Sequence, residues 1–238
     1  MNSVILINDF GVDIDLLDKI LIKSNLPESK ILVILSDGYL PDDLLGGCIP
    51  RSLVEHQNYI GIFNPHLDKN WEQGIALSVT ACEYRHKHPA FFTYLLAHEL
   101  GHAYVCITEI NVHIHYCLIQ DYISEATSKK IHSWHQLPHE ILFDQFGIFI
   151  AESIFSPRQM KEELNSIIEN KLSKDLERIE NMLLLPPFQE FKGSREKLIS
   201  FSIPYKNALI SLWERDKTQS DNTPYLLNLV HRFEDLFV

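Results

Sequence analysis

The residues with the most pointed chemistry are His98, Glu99 and His102, which fall within the five-residue string His98-Glu99-Leu100-Gly101-His102 of an apolar stretch. A helix with 3.6 residues per turn stacks positions four apart on one face, so both imidazoles can reach one ion, as Zn2+ requires. Glu99 sits beside the first histidine and can reach a metal-bound water without being a ligand itself. That is the arrangement of a zinc-water hydrolase. In a chain of this length with 12 histidines, an HExxH string is expected by chance only about 0.05 times. The bland alternative is a buried helix whose two histidines are satisfied by hydrogen bonds. Eleven of the twelve histidines lie between His56 and His139, leaving only His231 beyond, so any metal or proton chemistry belongs to the first two-thirds of the chain.

The string HELGH resembles the active-site helix of the zincin metallopeptidases, in which the two histidines bind zinc and the glutamate is the general base. A metzincin would carry a third histidine ten residues after the first, but position 108 is Thr and the required glycine is missing. In the gluzincin branch the third ligand is a glutamate on a later helix, often in an ExxxD pattern whose aspartate orients a zinc histidine. Glu140-Ile141-Leu142-Phe143-Asp144 fits this pattern 38 residues beyond His102, and its continuation Gln145-Phe146-Gly147 is similar to a segment of the ImmA/IrrE-type and HtpX-type peptidases, with Gly147 where alanine is usual. The resemblance therefore implies Zn2+ held by His98, His102 and Glu140, with Glu99 catalytic and Asp144 as the orienting carboxylate behind the ligands.

The residues themselves are compatible with that set. Glu140 and Asp144 share a helical face at i, i+4, while Leu142, Phe146, Phe149, Ile150 and Ser153 form the opposite, mostly apolar one. A paired carboxylate is what a zinc site uses to fix ligand orientation and tautomer. Alternatives stay open. Glu140 can also be a solvated acid favoured by the helix dipole in a first turn. Among other third ligands, His139 points away from Glu140 on a helix, Glu125 has no aspartate four residues on, and Glu152 lies two turns beyond Asp144. Cys48, in Gly46-Gly47-Cys48-Ile49-Pro50, stands as an upstream-loop cysteine does in peptide deformylases, whose other signature strings are missing. Tyr116, Tyr122, His132 and His135 are candidate oxyanion donors. His113 and His115 read as a solvated strand face, His86 and His88 as surface residues, and Cys106 as a small core residue.

Several elements must position these groups. Short β-branched runs at 3–7 and 31–35 bracket a helical stretch at 14–22, which reads as strand, helix, strand. Residues 37–51 are rich in turn formers and read as a loop, residues 59–63 (YIGIF) as a short strand ended by Asn64-Pro65, and 67–88 as mixed. Pro89 opens an apolar helix to about residue 107, where its missing N–H does no harm. Residues 110–118 alternate as a strand would, and 139–155 are helical in period. From 156 the pattern becomes charged and helical, broken near 185–188, 202–204 and 220–224. The expected fold is α+β: a zincin-like catalytic domain over 1–155, with a small mixed sheet and the active-site helix, followed by a helical subdomain over 156–238.

Hydrophobic residues make up 45% and charged residues 22% of the chain, which excludes disordered, collagen-like and coiled-coil classes. A net charge of -11 disfavours nucleic acid as a partner. The acidic N-terminus and the lack of an uninterrupted apolar window predict a cytoplasmic protein with neither signal peptide nor membrane span. Four irregularly spaced cysteines point to reduced thiols. The expected activity is zinc-dependent hydrolysis of a peptide or protein substrate, which would pair in extended form with an edge strand at 59–63. The competing expectation is a catalytically inactive zincin-like protein that binds zinc and serves as an interaction module. Oligomeric state is not legible.

Overall fold

The structure, a computed structural model, describes residues 3–36, 40, 45–57, 61–108, 138–173 and 176–185. In chain order the elements are β1 (Ser3–Asn8), α1 (Ile14–Ser24), β2 (Lys30–Leu35), β3 (Gly46–Pro50), α2 (Arg51–Gln57), a 3-10 turn (Asn64–His66), β4 (Gln73–Leu77), α3 (Val79–Lys87), α4 (Pro89–Thr108), α5 (Pro138–Ile154), α6 (Pro157–Glu169) and α7 (Leu176–Leu184). The fold is thus mixed α+β with one small sheet. Contacts divide the chain into two compact units, Met1–Thr108 with Phe146–Leu183, and Glu109–Gln145 with Leu184–Val238. The division falls between Gln145 and Phe146, within α5.

The sheet has the order β1-β2-β4-β3, with β1, β2 and β4 parallel and β3 antiparallel at the edge. Both faces of the two central strands are covered: β2 carries a continuous apolar run, and Ile31 to Leu35 and every residue of β4, Gln73 included, are buried. On one face Leu32, Ile34 and Ala76 join Phe63 and Trp71 in a hydrophobic cluster. On the other, Val33 and Ile75 belong to the face that meets the helices, where α4 packs against β3 and β4 and also against α1, α3 and α6.

Helix α4 is apolar on every side because it is enclosed on every side: each residue from Ala90 to Gly101 is buried. Pro89 takes the first helical position, as its chemistry favours. The orphan N–H of Phe91 in that first turn donates to the Glu163 carboxylate of α6 at 2.9 Å, so an acid sits at the positive end of the helix dipole.

The strands at 3–7 and 31–35 and the helices at 14–22, 90–107 and 139–155 correspond to β1, β2, α1, α4 and α5. Two expectations are corrected. Residues 61–63 form a turn rather than a strand; Ile62 and Phe63 are apolar because they plug the core, with Phe63 tilted against Trp71 at 5.9 Å. The stretch read as a turn-rich loop at 37–51 contains β3, which is one of the two edge strands of the sheet. The expected strand at 110–118 and the C-terminal helices beyond residue 185 lie outside the described residues. No described helix is long and apolar enough to cross a membrane.

Candidate metal centre

His98 and His102 stack on α4 as their spacing requires, with ring centres 5.0 Å apart and their Nε2 atoms 3.2 Å apart. An ion bound tetrahedrally to nitrogen at about 2.0–2.1 Å separates its ligands by about 3.3–3.4 Å. The two nitrogens already stand at nearly that distance, which is also short enough for a ring-to-ring hydrogen bond. Glu140 of α5 completes the group: one ligand atom from each of His98, His102 and Glu140 lies within 4.8 Å of the others. Two imidazoles and a carboxylate are a donor set suited to zinc and other first-row divalent ions. Among the described residues, this His-His-Glu group can hold a metal ion.

Burial sharpens that reading. His98 is 3% exposed, Glu99 and Glu140 are 8% exposed, and Asp144 is 2% exposed. A solvated first-turn acid is therefore not what Glu140 is. Carboxylates taken out of water need positive charge or hydrogen-bond donors, and a divalent cation held by the three ligand atoms would be one source of positive charge. Asp144 is buried one turn after Glu140 on the same helix.

The approach of α5 to α4 has a specific origin. A Cβ at Gly147 would lie 2.7 Å from Tyr94 Cδ2 and 2.8 Å from the Tyr94 carbonyl oxygen, so only glycine lets the two helices come this close. This accounts physically for a glycine at position 147. Tyr94 is one turn before His98, and Gly147 is seven residues after Glu140.

Glu99 is fixed by the edge strand. In β3, Gly46 pairs with Leu77 and Cys48 with Ile75, which puts both on the sheet face that meets α4. A Cβ at Gly46 would stand 2.8 Å from Glu99 Oε1 and 3.0 Å from Glu99 Cγ. The glycine is the space that the Glu99 side chain occupies.

Cys48 does not join the three-residue group. Its half-buried thiol hydrogen-bonds with Cys106. That bond, burial and the nearby Glu99 charge hold the thiol well above its ordinary range. Cys106 is buried, as a small core residue should be. Glu152 is half-buried and outside the group, and burial raises its carboxyl. His86 is exposed as expected, but His88 is buried, 5.9 Å from the Tyr84 ring and edge-on to it. Glu125, His113, His115, Tyr116, Tyr122, His132 and His135 lie outside the described residues, as does the side chain of His139.

Sequence reasoning missed the part played by Gly46 and, at the ligand itself, a contact from the charged region. Arg178 of α7 reaches His98, placing Nη2 at 3.2 Å from its Nδ1. One arginine in a charged helical stretch, 80 residues away, carries no signal of this contact. Comparison of the chain with protein-family models, curated proteins and solved structures finds no match.

Proposed function

We propose that the protein is a zinc metallopeptidase of gluzincin type, with His98, His102 and Glu140 as the zinc ligands. The observation that carries this reading is the convergence of those three ligand atoms within 4.8 Å, with Glu99 buried beside them. Zinc in such a site lowers the pKa of a coordinated water and polarises a carbonyl. Glu99 is the general base: it takes the proton from the attacking water and passes it to the leaving amine. Asp144 orients a ligand histidine. Strand β3, at the antiparallel edge of the sheet and against α4, is the place for an extended peptide to add a strand beside Glu99. This role belongs to Gly46–Pro50 in place of the segment 59–63.

The test is Glu99→Gln, assayed on a complex peptide library with cleavage read by mass spectrometry. Wild type should produce new peptide termini. The variant should bind zinc normally and lose hydrolysis by at least about 10²-fold, the scale of a general base. An inactive zincin-like binding module, the second reading, would show no cleavage by wild type and no effect of Glu99→Gln on whatever complex it forms.

A further inference from the structure

The contact between Arg178 and His98 runs against what a metal ligand needs. Arg178 Nη2 lies 3.2 Å from His98 Nδ1, and the guanidinium carbon sits 5.9 Å from the centre of the Tyr94 ring, which steadies it over an aromatic face. A guanidinium has five N–H donors, no acceptor and a permanent charge. Nδ1 of His98 must therefore accept. In a neutral ring the proton is then on Nε2, the nitrogen that faces His102 Nε2 at 3.2 Å.

A histidine that binds a metal through Nε2 has the reverse arrangement. Its lone pair is on Nε2, and its N–H at Nδ1 is ordinarily donated to a carboxylate, a carbonyl or water, which raises its basicity. With Arg178 at that position, an Nδ1 hydrogen would meet guanidinium hydrogens. A dication on one nitrogen of the ring would also share the ring with a cation on the other. Ligation at Nε2 and the seated Arg178 are mutually opposed.

We propose that Arg178 makes α7 a latch on the metal centre: while it is seated against His98 the affinity for metal is low, and metal binding drives it off. The inference rests on the reading of His98, His102 and Glu140 as ligands. It concerns loading of the site, separately from the hydrolysis proposed above. Because coupling between two binding events is reciprocal, metal must loosen α7 to the same extent that α7 weakens metal.

Zinc affinity of the full chain, measured by competition with a chromophoric chelator, tests the proposal together with hydrogen exchange of the α7 amides with and without zinc. Groups contacting the far nitrogen of a ligand histidine typically change affinity about 10–100-fold. Arg178→Gln, which can accept as well as donate, should bind zinc at least about 10-fold more tightly than wild type, while Arg178→Lys should stay close to wild type. Zinc should speed exchange at 176–184 in wild type. Uptake by Arg178→Gln alone, with none by wild type, is the extreme form of the same result. Equal or weaker zinc binding by folded Arg178→Gln overturns the latch, as does zinc that leaves exchange in α7 unchanged or slows it. The exchange measurement needs no variant to fold. If neither wild type nor Arg178→Gln takes up zinc, the metal centre itself falls, and the latch with it.

Discussion

Gly46 makes room for Glu99, the residue to which the proposed hydrolysis assigns the general base. Glu99 Oε1 occupies a position 2.8 Å from where a Gly46 Cβ would be, so Gly46→Ala must push the carboxylate aside. Displacement of a catalytic group by about 1 Å costs on the order of 10²-fold in rate. Gly46→Ala is therefore expected to keep its metal, by elemental analysis, and to lose about that much hydrolysis. Loss of metal with hydrolysis would assign Gly46 a purely structural part. At this scale the sequence is unevenly legible. The string from His98 to His102 announces itself because its geometry is local to one helix, and Glu140 could be nominated from the ExxxD pattern that the gluzincin resemblance implies. Gly46 and Arg178 could not, since what makes each matter is a contact with a residue 53 or 80 positions away.

Helices α4 and α5 are placed by small contacts with large consequences. Glu163 caps α4 from α6, and Gly147 admits the backbone of Tyr94. An alanine in a helix interior is ordinarily about 1 kcal/mol better than glycine, yet at position 147 its Cβ would meet a carbonyl oxygen that cannot yield cheaply. Overpacking of this kind costs about 1–3 kcal/mol. Gly147→Ala should thus lower the melting temperature, against propensity, and weaken zinc binding because Glu140 rides on the same helix; a rise in melting temperature with zinc affinity intact would contradict this account. Of the elements, β1, β2, α1, α4 and α5 were legible because each shows a clear period or an apolar run of the right length. Strand β3 reads GGCIP and offers neither, and β4 is five residues with a glycine at its second position. Helix α3 lacks an apolar face of its own. The run at 59–63 misled because the core can claim apolar side chains from a turn as well as from a strand.

The whole molecule carries a net charge of -11 and encloses several groups that resist ionisation. Burial pushes the Cys82 thiol from its ordinary 9.0 up to about 12, and Tyr84 is raised in the same direction, again by burial first. Between pH 9 and 12 the unfolded chain gives up the thiol proton while the folded chain keeps it. Stability therefore falls as pH rises through this window, with a contribution from Cys82 of at most about 1.4 kcal/mol per pH unit. Urea unfolding from pH 8 to 10.5 should show this decline, and Cys82→Ala should flatten it although it lowers stability at pH 8; an unchanged slope would remove Cys82 as its source. The general class, α+β with one small sheet, was visible from the alternation of short runs and helical periods. The arrangement around the metal group was not, because it depends on an edge strand, a close helix approach and a helix from the charged region arriving at one place.

The central claim is that His98, His102 and Glu140 bind one metal ion, and elemental mass spectrometry on purified protein tests it most directly. After reconstitution with excess zinc, wild type should hold about one zinc per chain, the stoichiometry of a single His2Glu site. His98→Ala should hold none, and Glu140→Ala should lose it or bind it far more weakly. Zinc retained at full affinity without Glu140 would contradict the ligand set, and no metal in any form, an Arg178→Gln variant included, would contradict the centre altogether.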